Sequence, residues 1–136
     1  MAHILIIDDE SSIRSFMALH LERHGHRVSQ AGNGCDALAM LANDPADLVV
    51  TDIVMPDKEG LETMIAIGRD WPDVPIIAMS GANESGLFLH ASQLLGAKRT
   101  LPKPFSGARL VEAVNDALEQ QRRVGEASAG SGCELR

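Results

Sequence analysis

What most constrains the fold of this chain is an alternation. Short apolar, often β-branched runs are each followed by a longer stretch with helical spacing, and the pattern repeats along the chain. Residues 3–8 (HILIID) read as a buried strand. A helix over 11–24 follows, carrying Ile13, Phe16, Met17, Ala18, Leu19 and Leu21 and closed by Gly25. Residues 26–31 read as a weaker strand, and Asn33-Gly34 opens a helix that stops before Asp44-Pro45. A strand over 47–52 (DLVVTD) precedes a helix over 58–70, which the Trp71-Pro72 pair ends. A strand over 75–80 (PIIAMS) precedes a helix over 84–95 closed by Gly96, and a short strand over 98–101 leads to an amphipathic helix over 106–122. Five strand–helix units in strict order predict a parallel, doubly wound sheet with helices on both faces, a three-layer α/β/α sandwich. In such sheets crossovers are right-handed and ligands sit beyond the carboxyl ends of the strands.

A chain of 136 residues suits one core, which this reading assigns to residues 1–122. The small, polar residues of 123–136 read as a flexible tail. A net charge of −7 without a dense Lys/Arg patch argues against direct nucleic-acid binding. Three Phe, one Trp and no Tyr leave no stacking surface for single strands. No apolar run approaches the roughly 18–20 residues that span a bilayer, and the first residues lack a signal-peptide pattern. Cys35 and Cys133 stand far apart without metal-type spacing, which fits a reduced, cytoplasmic setting.

The chemistry gathers at the strand ends. The first strand runs into Asp8-Asp9, the third ends at Asp52, the fourth at Ser80, and the fifth leads into Lys103. Asp8-Asp9 alone are as readily a helix cap as a metal site. Three carboxylates, a hydroxyl and an ammonium at one sheet edge are another matter, because like charges repel unless a cation neutralises them. A hard divalent ion such as Mg²⁺ suits that oxygen donor set. An aspartate beside Mg²⁺ can act as a nucleophile in phosphoryl transfer, with a lysine neutralising the phosphoryl oxygens. Asp52, at the end of a central strand, is the natural acceptor. Glu10 reads as part of the following helix start, where negative charge is favoured.

Taken in order, Asp8-Asp9, Asp52 with Met55-Pro56-Asp57, Ser80-Gly81 and Lys103-Pro104-Phe105 resemble the receiver domain of two-component response regulators, over residues 3 to about 121. The resemblance implies a flavodoxin-like (βα)5 fold with strand order 2-1-3-4-5. It implies a bacterial phosphorelay switch rather than a turnover enzyme, catalysing only its own aspartyl phosphorylation and dephosphorylation. Asp52 would take its phosphoryl group from a histidine kinase or histidine phosphotransfer protein. One Mg²⁺ would be bound directly by Asp9, Asp52 and the Val54 carbonyl, and by Asp8 through water. Lys103 would contact the phosphoryl group, the bond to Pro104 would be cis, and Ser80 would be the switch hydroxyl. Output would pass through the surface around the helix over 84–95 and the fifth strand to a downstream protein partner, from a monomer or weak dimer.

Some positions depart from the family pattern. Thr100 stands where receivers usually carry a Tyr or Phe that swings inward. That departure raises an alternative, a receiver-like protein-binding module with constitutive, phosphorylation-independent output. Val54 and Ala82 flank the phosphate position and are both apolar, so neither positions an attacking water and spontaneous dephosphorylation should be slow. Lys98 and Arg99 replace the acidic residues through which many DNA-binding receivers pair. His20 and His24 have the i, i+4 spacing of a helical zinc pair but lack further ligands, so they read as surface histidines. Phe88 and Leu89 are adjacent on a helix and cannot both face the core, which marks a candidate partner contact. Related doubly wound folds fail on specific residues. Val54 stands where a haloacid-dehalogenase-type phosphatase has its second Asp, the DDE turn repels a flavodoxin's phosphate, and Gly32-Asn33-Gly34 lacks the third Gly of a Rossmann loop.

Overall fold

The computed structural model describes residues 1–53, 59–81 and 96–135, among which lie five strands and four helices. In chain order they are β1 (His3–Ile7), α1 (Ser11–Arg23), β2 (Arg27–Ala31), α2 (Gly34–Asn43), β3 (Leu48–Asp52), α3 (Glu59–Asp70), β4 (Ile76–Ser80), β5 (Ala97–Pro102) and α4 (Gly107–Leu135). Expectations placed on Val54, Met55-Pro56-Asp57, Ala82, Phe88, Leu89 and the helix over 84–95 lie outside the described residues.

The strands form one parallel sheet in the order β2-β1-β3-β4-β5, the flavodoxin-like arrangement. Period-two alternation decides what each strand residue touches. In β1, Ile4 and Ile6 face one layer while Leu5 and Ile7 face the other. Leu48, Val50, Ile77 and Met79 join the first layer, packed against Met17 and Leu21 of α1 and Leu110 and Val114 of α4. Val49, Ile76 and Ala78 join the second, against Ala37 and Leu41 of α2 and Met64 and Ile67 of α3. Because β1, β3 and β4 are buried on both faces, each carries an unbroken apolar run: residues 4–7, 48–50 and 76–79. Each fully buried Leu or Ile contributes about 1.5–3 kcal/mol, so the sheet centre is the rigid base of everything at its edge.

The helix ends follow local chemistry. Asn33 caps α2, its side chain accepting the Asp36 N–H at 2.8 Å. Ser106 Oγ accepts the Arg109 N–H at 3.1 Å at the start of α4. Gly25 (φ +88°) and Gly96 (φ +105°) take left-handed conformations where helical spacing stops, as a glycine readily does. One boundary differs from the sequence reading. The backbone of α4 is helical to Leu135, past residue 122, where the flexible tail was expected to begin. Adding a residue to a formed helix needs only one more backbone bond, and Glu126, Ala127 and Ala129 favour it, whereas the small, polar composition had read as a tail.

Candidate phosphoacceptor site

The sheet delivers its polar groups to one edge because its register aligns the strand ends. Ile7 pairs with Thr51, Asp52 with Met79, and Ser80 with Pro102, so Asp8, Asp52, Ser80 and Lys103 arrive side by side. This edge is also the topological switch point. The connection from β1 leads outward to β2, and the one after it crosses back to β3, which opens a crevice between the two strand ends.

Asp8 is fully buried and Asp52 nearly so, while Asp9 is exposed. One carboxylate oxygen from each of the three lies within 4.8 Å of the others. Lys103, 19% exposed, bridges two of them, its Nζ donating to Asp8 Oδ2 and to Asp52 Oδ2 at 2.9 Å each. The remaining oxygen of Asp8 accepts the Glu10 N–H at 2.9 Å. Asp8 thus serves the start of α1 and the acidic cluster at once, and Glu10 sits at the N-terminal boundary of that helix. Burial would lower the Lys103 pKa, but the hydrogen bonds and charges of Asp8 and Asp52 outweigh it and hold it above the usual lysine value.

Backbone bonds set these side chains in place. Lys103 donates its N–H to the Ser80 carbonyl at 2.6 Å, which ties the β5–α4 connection to the end of β4. The Lys103–Pro104 peptide bond is cis. Ser80 is buried on the strand beside Asp52. Thr100 is half-buried in β5 and pairs with Ala78. Among the described residues no histidine joins a group able to hold a metal. His24 Nδ1 instead lies 2.9 Å from the His20 carbonyl, and the His20 ring packs on Phe16 and over Gly107, leaving no room there for a Cβ.

The family model described as the response regulator receiver domain matches residues 4–115. The chain belongs to the response regulator receiver domain family. Receivers are the phosphoacceptor modules of two-component signalling, and they generally bind Mg²⁺; the hard oxygen donors of Asp8, Asp9 and Asp52 suit that ion. The receiver is 39% identical to the DNA-binding transcriptional regulator NtrC of Azospirillum brasilense over 117 residues, which cover 86% of this chain and 24% of that protein. It superposes on the crystal structure of NtrX from Brucella abortus with a TM-score of 0.89 and 30% identity, over 99% of this chain and 29% of that one. It also matches a CheY-like receiver domain protein from Methanospirillum hungatei, with a TM-score of 0.85 and 28% identity, over 90% of this chain and 98% of that one. The receiver therefore spans about a quarter of the length of NtrC and of NtrX. No helix among its described residues is long and apolar enough to cross a membrane.

Two features of the site were missed in the sequence. An apolar cavity of about 370 Å³ opens beside Lys103, lined by Ile13, Phe16, Lys103, Pro104 and Phe105. Its signal was the adjacency of Phe16 and Met17, which cannot both face the core of one helix. Met17 is buried and Phe16 is 38% exposed. The second is Arg14, whose guanidinium donates to the Asp8 carbonyl. On a helix an arginine ordinarily reads as solvated surface, and nothing in the sequence distinguished this one.

Proposed function

We propose that Asp52 of this receiver accepts a phosphoryl group from a histidine kinase or histidine phosphotransfer protein in the cytoplasm, and that the acyl phosphate switches its surface. The observation that carries this reading is the convergence of Asp8, Asp9 and Asp52 with Lys103 as the cation between them. In the transfer, a carboxylate oxygen of Asp52 bonds to phosphorus as the phosphorus–nitrogen bond to the donor histidine breaks. The imidazole leaves with that electron pair and recovers a proton. Lys103 already touches Asp52, so it can exchange a carboxylate oxygen for a phosphoryl oxygen with little movement. Ser80, at the end of the neighbouring strand, offers its hydroxyl to the phosphoryl group. Mg²⁺ would be held by Asp8, Asp9, Asp52 and the Val54 carbonyl, and would supply further neutralisation of the phosphoryl oxygens. The apolar cavity beside Lys103 gives the donor protein a place to rest against the β5–α4 connection. Val54 and Ala82 are both apolar, so neither side chain can orient a hydrolytic water, and the acyl phosphate is expected to persist for minutes or longer.

One observation favours the second reading of constitutive output: Thr100, half-buried in β5, provides no aromatic ring to swing inward. The primary reading is tested by incubating the receiver with acetyl phosphate, with and without Mg²⁺. The mass of one phosphoryl group should appear only with Mg²⁺ and be absent from Asp52→Asn. Equal labelling of that variant would overturn the assignment.

A further inference from the structure

Asp9 is the least supported of the three acids. It is exposed, and its direction depends on the peptide plane that joins it to Asp8. The Asp8 carbonyl, which lies in that plane, accepts the guanidinium of Arg14. The preceding Ile7–Asp8 peptide is tied to β2, where the Asp8 N–H donates to the Ala31 carbonyl at 3.2 Å. Arg14 belongs to the first turn of α1, where its own N–H donates to the Glu10 carbonyl at 3.2 Å. Its side chain therefore folds back over the turn it has just left. Arg14 is half-buried, and its guanidinium lies over Gly32 in the β2–α2 connection, where a Cβ in place of the glycine hydrogen would meet Nη1 at 3.5 Å. Its buried Nε has no hydrogen-bond partner among the described residues, which leaves the Asp8 carbonyl as its anchor. A solvated surface arginine would not be placed this way, because ordering so long a side chain costs entropy that open water does not return.

We infer that Arg14 is a positioning residue for the metal acids: by holding the Asp8–Asp9 peptide against the β2–α2 connection, it aims the Asp9 carboxylate at the point shared with Asp8 and Asp52. This rests on the proposed Mg²⁺ site. A planar guanidinium with several donors in fixed directions fixes a carbonyl better than a point-charge ammonium does. Losing the clamp frees the peptide to rotate, so Mg²⁺ must then order Asp9 as it binds and loses affinity for it.

The test is an NMR titration of the ¹⁵N-labelled receiver with MgCl₂ alone, following the amides of Asp8, Asp9 and Asp52. Arg14→Met, which keeps the stem and removes the donors, should raise the Mg²⁺ midpoint about tenfold over wild type. Arg14→Lys should raise it about threefold. Charge alone is separated from the clamp by 0.5 M KCl, a condition that screens exposed charge. The difference between Arg14→Met and wild type should survive that salt; its collapse to within twofold would overturn the inference. If Arg14→Met does not fold, Arg14→Lys decides. A folded variant of either kind that titrates like the wild type overturns the positioning role and leaves the metal site standing. A wild type that shows no Mg²⁺ response overturns both.

Discussion

The two ends of the sheet bury polar groups to a similar depth and treat them oppositely. At the amino end the His3 side chain is 7% exposed, and each of its groups is answered. Its Nδ1 lies 3.0 Å from the Pro45 carbonyl, its Nε2 lies 2.7 Å from Ser29 Oγ, and its N–H donates to Asp47 Oδ2 at 2.8 Å. Arg27 and Asp44 pair at 2.7 Å beside it. At the carboxyl end three carboxylates gather, and the Lys103 ammonium pairs with two of them, Asp8 and Asp52. Burial of polar groups is therefore not what marks the functional edge, since both ends show it. The mark is unbalanced charge of one sign, which costs stability unless a cation arrives. Structure is settled at one end and left open to a ligand at the other.

That contrast can be broken by substitutions at each end. The largest stability effect is expected at the balanced end. His3→Ala removes a buried ring and leaves the Ser29 hydroxyl and the Pro45 carbonyl without it, costing about 3 kcal/mol in urea denaturation. Its Mg²⁺-dependent phosphorylation should be unchanged, and a loss of phosphorylation in the folded protein would erase the division of labour between the ends. Lys103→Met should cost less, about 2 kcal/mol without Mg²⁺, because it removes the ammonium that pairs with both Asp8 and Asp52. Mg²⁺ should stabilise this variant more than wild type; equal stabilisation would mean that the metal and the ammonium do not share a task.

The same lysine gives a pH signature. Its folded pKa is raised, so its contribution to stability is complete below the unfolded value of about 10.4 and is lost as pH rises through the folded value. Wild type should lose stability in that alkaline window by an amount Lys103→Met does not. The smallest effect is expected for Asp44→Asn. The hydrogen bond from Arg27 lowers the Asp44 pKa, so whatever this pair contributes is present at neutral pH and fades as acid protonates Asp44. The pair is exposed, and its removal should leave the neutral-pH urea midpoint unmoved.

The contrast also explains what the sequence disclosed. Strands β1, β3 and β4 were legible because burial on both faces demands unbroken apolar runs. Asp8, Asp9, Asp52 and Ser80 were legible because each stands where such a run stops. The balanced end left no such trace. His3 opens a strand and is joined by Ser29, Pro45 and Asp47 only through tertiary pairing. Arg14 was hidden for a related reason, since its value lies in a carbonyl it folds back upon, and helical spacing carries no sign of that. The helix α4 runs past the expected end at residue 122 because small, polar composition reads locally as a tail while the helix before it favours continuation.

The central claim, that the carboxyl edge is the site waiting for charge, is tested most directly by ¹⁵N NMR of the receiver with MgCl₂ and then with beryllofluoride added as a phosphoryl mimic. The account predicts that Mg²⁺ shifts the amides around Asp8, Asp9 and Asp52, and that beryllofluoride extends the change through Ser80 and Lys103 into β5 at Thr100. The amides of His3, Ser29 and Asp47 should stay still throughout. Shifts confined to the pocket would favour the module with constitutive output. Shifts absent from the acidic edge, or as large at the amino end, would contradict the account.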